Sequence, residues 1–70
     1  MKKELENIKK TLNLNKNVNL ETELNTLEQW DSMGALSIIG LADAKYKKII
    51  SGDDLFKCKK IIDIIKLLKE

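Results

Sequence analysis

The stretch LEQWDSMGAL, residues 27–36, decides how this 70-residue chain is read. Asp31 and Ser32 stand directly before a run of apolar residues, and either side-chain oxygen can accept a bond from an otherwise unpaired amide of a first helical turn. The spacing therefore predicts a second helix that starts at Asp31 or Ser32 and runs to about Lys48, where Lys45, Lys47 and Lys48 complement the negative helix end. On a 3.6-residue period Ala35, Ile38, Ile39, Ala42 and Tyr46 share one side, the natural inward face. Met33, Leu36, Ser37 and Gly40 share another, which a bundle has less reason to bury. Two readings of Met33 and Leu36 follow: a docking surface beside an exposed serine, or packing beneath the preceding loop. Gly34 and Gly40 each cost about 1 kcal/mol relative to Ala inside a helix. Gly34 would leave the space next to Ser32 open, and Gly40 would admit a backbone or ligand or simply be tolerated.

Outward from this stretch the pattern is helical nearly throughout, because apolar residues recur at three and four rather than at two. Met1, Leu5, Ile8 and Leu12 form one face of a first helix, which the Asn-rich NLNKNVN should end, since Asn competes with helical bonding and tolerates left-handed geometry. LETELNTLEQW then reads as a long ordered loop anchored by Leu20, Leu24, Leu27 and Trp30. Ser51 and Gly52 make a turn after the second helix, and Asp53, Asp54 and Leu55 can start a short third one. In KKIIDIIKLLKE the residues Ile61, Ile62, Ile64, Ile65, Leu67 and Leu68 form a stripe wide enough to need at least two neighbours. The expected fold class is all-α: a small four-helix bundle of three main helices and one short one, with a long first loop, as a single domain over 1–70.

Composition narrows the function. A domain of this size buries only about 60 % of its chain surface and has room for one core but no buried cleft. One Cys allows no internal disulfide, and the absence of His removes the usual zinc ligand and general base. A self-sufficient hydrolase or metalloenzyme is not expected. No run approaches the roughly 18 apolar residues of a membrane span, and the N-terminus lacks the apolar core of a signal peptide, so the cytoplasm is the default compartment. The net charge of +2 is unevenly spread. Glu21, Glu23, Glu28, Asp31 and Asp43 face no lysine between positions 21 and 43, a segment charge of −5; from Leu55 on, five lysines face two acids, giving +3. The surroundings of Ser32 are thus acidic within a slightly basic protein, and local charge selects what docks there.

Ser32 carries two readings. As an unaided nucleophile it lacks a base, since the chain has no His and a lysine partner would need strong desolvation. It is either a plain cap, as serine at such a place usually is, or an acceptor modified by another enzyme, because a phosphate at a helix N-terminus meets free amides and the positive end of the dipole.

The combination of features is more specific than the dipeptide. Over almost its whole length the chain resembles the acyl carrier protein family, including relatives that carry aminoacyl and peptidyl groups. The residues that carry the resemblance are WDSMGAL at the start of the second helix, YKKIISGDDL at its end and IIDIIKLL as the closing helix. Asp31-Ser32-Met33 fits the family's Asp-Ser-aliphatic motif, Tyr46 stands where Phe is usual, and Ile50 where an aliphatic residue precedes the third helix. The resemblance implies that Ser32 is joined by a phosphodiester to 4'-phosphopantetheine, which a phosphopantetheinyl transferase takes from coenzyme A with magnesium. It further implies that Asp31 supports the transfer, that Met33, Leu36, Asp43 and Ile50 contribute to docking, and that acyl-loading and acyl-using enzymes are the other partners of a monomeric carrier. Such a carrier is not an enzyme; it presents thioesters in fatty acid or specialised acyl biosynthesis. Cys58 would be a small core or boundary residue. A bundle lined by Ile38, Ile39, Ala42, Ile61, Ile62 and Ile65 could open for an aliphatic chain or stay closed.

Departures accompany the resemblance. Fatty-acid carriers usually hold several carboxylates on the second helix, where this chain has Gly34, Ser37, Ala44 and Lys45 and keeps only Asp43. Steering onto basic partners should be weaker, with Asp31, Asp43, Glu21, Glu23 and Glu28 left to do it. The alternatives are an aminoacyl or peptidyl carrier, or a helical interaction module that kept the bundle without the arm. Nucleic-acid binding is not expected: 13 lysines with no Arg and three aromatic residues offer neither guanidinium forks nor stacking platforms.

Overall fold

The computed structural model describes residues 2–69. Four α-helices follow one another: α1 (Lys2–Leu12), α2 (Ser32–Leu41), α3 (Gly52–Phe56) and α4 (Ile61–Lys69). Among the described residues there is no strand, only one isolated bridge between Glu23 and Lys60. The helical bundle expected from periodicity is present, with α1 packed on α2 and α4, and α3 on α2.

α1 buries Ile8 and Leu12 and half-buries Leu5, as the spacing predicts; Met1 lies outside the described residues. The helix ends on Asn13, which adopts left-handed geometry with φ 56°. Leu14 N–H then donates to Lys9 C=O at 2.8 Å and Asn13 N–H to Lys10 C=O at 3.3 Å, so the last carbonyls are satisfied in a Schellman pattern. This is the work that the Asn-rich segment performs.

The loop from 13 to 31 is ordered by two means. Asn side chains tie down its turns: Asn15 Oδ1 accepts from Asn17 N–H and Asn19 Oδ1 from Glu21 N–H. Val18 and Leu24 are buried in the core, and Leu20, Leu27 and Trp30 pack against it. A 3-10 turn over Leu24–Thr26 turns the chain at that anchor. The loop also completes α4. Ile61 N–H donates to Thr22 C=O and Ile62 N–H to Leu20 C=O, while Leu24 N–H donates to Lys59 C=O. Amides at the start of α4 thus find partners in the loop, and the Asp63 carboxylate accepts from Lys59 and Lys60 N–H, both at 3.0 Å. These two bonds hold the Asp63 carboxyl below its ordinary pKa.

α2 is shorter than its sequence suggests. Regular helix stops at Leu41, a π turn spans Ala42–Tyr46, and Lys47 closes it in left-handed geometry at φ 54°. Ala42 C=O accepts from the amides of both Lys47 and Lys48, which takes up carbonyl capacity at the widened end. Tyr46 OH accepts from Asn7 Nδ2 at 2.9 Å, tying this end of the segment to α1. α3 is fixed by a reciprocal capping box: Ser51 Oγ accepts from Asp54 N–H and Asp54 Oδ2 from Ser51 N–H.

Eight large aliphatic side chains have less than 2 % exposure and fill the interior, among them Ile38, Leu55, Ile61 and Ile65. Ala42 is fully buried, whereas Ile39 and Ile62 are only partly so. The interior is a closed core.

Candidate functional site

Asp31, in extended geometry with φ −132° and ψ −167°, is the N-cap of α2, and its Oδ1 accepts from Gly34 N–H at 2.9 Å. Ser32 is therefore the first helical residue and not the cap. It is exposed, and among the described residues no hydrogen bond engages its hydroxyl. The local sequence explains this. Of two adjacent cap-competent residues, the one carrying the carboxylate takes the capping position, because a charged acceptor also meets the positive end of the helix dipole.

Met33 and Leu36 are 74 % and 65 % exposed, which settles the question of whether they pack beneath the loop: they do not. Ser37 and Gly40 are exposed beside them, with Ser37 Oγ bonded back to Met33 C=O at 3.0 Å and open space around Gly40. Gly34 corrects the sequence reading. It is buried, and a Cβ there would overlap the Gln29 carbonyl oxygen and meet Leu12 Cδ2 at 3.3 Å. Its role is to let the loop backbone close onto α2, not to leave room beside Ser32.

Asp43 is exposed, as a docking residue must be. Ile50 is not: it is 5 % exposed and belongs to the core, while its neighbour Ile49 is 96 % exposed. The resemblance places Ile50 among the docking residues; after the left-handed turn at Lys47 it is Ile50 that enters the core and Ile49 that stays outside. Of the acidic loop residues, Glu21 is paired with Lys60 Nζ at 3.1 Å, a contact that raises the Lys60 pKa; Glu23 and Glu28 remain exposed. The candidate site thus gathers Asp31, Ser32, Met33 and Leu36, with Asp43 further along in the π turn that follows α2.

The groove beside it escaped the sequence reading. About 450 Å³ of space lies between the first loop and the end of α3, lined by the apolar Leu24, Trp30, Phe56 and Cys58 and the polar Glu23, Asn25 and Lys59. Phe56 stands 68 % exposed at this place. An aromatic residue directly after the capped DDL turn was the available signal. Cys58 is half-buried, with Sγ 3.5 Å from Asp54 C=O. Burial, then the nearby Asp63 and Asp54, pushes its thiol up to about 11.

Among the described residues no group of three or more His, Cys, Asp or Glu side chains could hold a metal ion, and no helix is long and apolar enough to cross a membrane. No protein-family model, curated protein or solved structure matches the chain. The functional reading therefore stands on the residues and their geometry.

Proposed function

We propose that this protein is an acyl carrier whose Ser32 bears 4'-phosphopantetheine. The observation that supports the reading is the division of roles at the start of α2: Asp31 supplies the cap, which leaves the Ser32 hydroxyl exposed and unengaged at the positive end of a helix. These residues fit the group. Ser32 Oγ would form the new bond to the pantetheine-bearing phosphorus of coenzyme A as the pyrophosphate linkage breaks. Adenosine bisphosphate departs with the electron pair, and the hydroxyl proton passes to a base of the transferase. A phosphodiester so placed has the amides of the first turn beside it. The bound group supplies a terminal thiol for acyl units, and Met33 and Leu36 offer the apolar rim on which partner enzymes dock. The chain itself catalyses nothing in this reading, acts as a monomer, and belongs in the cytoplasm with coenzyme A and its transferase.

The test is intact mass after incubation with coenzyme A and a broad-specificity phosphopantetheinyl transferase. Wild type should gain the mass of one phosphopantetheinyl group and Ser32→Ala none. An unmodified wild type, or a modified Ser32→Ala, would sink the reading.

A second reading is a helical interaction module without the arm. It is favoured by Lys45, Lys47 and Lys48 at the end of the second helical segment, none in an ion pair among the described residues, next to the exposed Ile49. A partner that binds wild type and Ser32→Ala equally, together with no mass gain, would select it.

A further inference from the structure

We propose that the groove between the first loop and α3 receives the acyl unit carried on the arm of Ser32, and that its lining selects a short, uncharged, hydroxylated acyl group. The inference rests on the carrier reading and names its cargo class. Trp30 is two residues from Ser32, so no more than about 7 Å of backbone separates attachment point and groove. A phosphopantetheinyl arm is several times longer than that and can fold back. A long alkyl chain would need enclosed apolar volume, but the interior is filled by side chains at 0–1 % exposure, and admitting a chain would displace packed atoms.

The groove offers different chemistry. The Trp30 and Phe56 rings provide apolar faces for a few carbons. The lining holds one carboxylate, Glu23, and one ammonium, Lys59; neither side chain makes a hydrogen bond or close ion pair among the described residues, and the Lys60 charge acts on Glu23 from nearby. An anionic or cationic tip is attracted by one and repelled by the other. A hydroxyl can donate to Glu23 or Asn25 and accept from Lys59 or Asn25. A bare alkyl tip would desolvate these groups and return no hydrogen bond.

The chain has a single Trp, so Trp30 reports on the groove by itself. The full-length protein is loaded by a broad-specificity transferase from coenzyme A and from its β-hydroxybutyryl, octanoyl, succinyl and β-alanyl thioesters. Intact mass verifies each product, and acrylamide quenching of Trp30 is then measured. The β-hydroxybutyryl form should quench about two-fold less than the free-thiol form, as one face of the indole becomes covered. The other three should protect less. Phe56→Ala and Lys59→Ala, both at exposed positions, should abolish the protection without changing the mass gain or the thermal midpoint. Equal quenching across fully loaded forms, or strongest protection by another acyl group, overturns the groove proposal alone. Absence of any mass gain overturns the carrier reading, and the groove proposal with it.

Discussion

Asp31 and Gly34 are joined by a 2.9 Å hydrogen bond from the Gly34 amide to Asp31 Oδ1, and this bond leaves the hydroxyl of the next residue, Ser32, without a capping role. With the cap occupied by Asp31, the neighbouring serine has no local structural task. Removing the cap should cost about 1 kcal/mol, so Asp31→Ala is expected to lower the urea midpoint, while Asp31→Ser keeps a capping oxygen and most of the stability. The serine variant isolates the carboxylate. If Asp31→Ser folds normally but is modified slowly at Ser32, the acid serves the transfer; an unchanged rate confines Asp31 to capping.

The two glycines of α2 should respond in opposite directions. Gly34→Ala places a Cβ against the Gln29 carbonyl and Leu12, so destabilisation by roughly 2 kcal/mol is expected despite the better helix propensity of Ala. Gly40 has nothing within 4 Å of such a Cβ and an ordinary negative φ. Gly40→Ala should therefore stabilise, by up to about 1 kcal/mol. Equal shifts in the two melting curves would contradict the close approach of loop and helix.

Ile49 and Ile50 separate docking from stability. Ile50→Ala empties part of the core and should cost about 2–4 kcal/mol. Ile49→Ala, at 96 % exposure, should stay within about 0.5 kcal/mol of wild type. A large loss from Ile49→Ala would show that the two have been assigned to the wrong sides.

Cys58 gives a prediction in pH. Its thiol pKa is raised from 9.0 to about 11, so the folded protein holds this proton more tightly than the unfolded chain. The stability it contributes is fully present below pH 9.0 and declines as pH rises toward about 11; Cys58→Ser should flatten that decline. At pH 8 the thiolate fraction should be roughly a hundredfold below that of a free thiol, with alkylation correspondingly slow. In the loaded protein the arm thiol should then label first. Rapid labelling of Ser32→Ala at pH 8 would refute this.

Charge reversal at Asp43 tests steering toward the transferase. Asp43→Lys should slow modification several-fold at low salt, the difference shrinking as salt rises, whereas Glu6→Lys on α1 should have little effect. Asp63 would be a poor control, because its carboxylate caps the start of α4. Equal slowing by Asp43→Lys and Glu6→Lys would mean that the face around α2 is not where the enzyme docks.

Much of the fold was legible in the sequence because helices are periodic and local. The face of Ala35, Ile38 and Ala42, the Asn-rich stop after α1 and the short helix around Asp53, Asp54 and Leu55 could each be read from neighbours a few positions apart, although Ser51 and Gly52, read as a turn, are the cap and first residue of that helix. The proposed role of Ser32 comes from the family resemblance, since local patterning allows it as a plain cap as well. Three features were not legible: Gly34 as a contact with Gln29, Ile50 rather than Ile49 in the core, and the groove joining Glu23 and Trp30 to Phe56 and Lys59. The last two depend on where a left-handed residue or a long loop sends the chain, and the first on how the turn into α2 folds its own Gln29 carbonyl back onto the helix. Local patterning therefore determined that LEQWDSMGAL opens a helix with a serine at its start. Only tertiary packing decided that Met33 and Leu36 stay outside, and that the loop before it seals the core while leaving a groove beside Trp30. The physical reason is that burial is set by segments far apart in sequence, such as Leu12 of α1 against Gly34 of α2, which no short window contains.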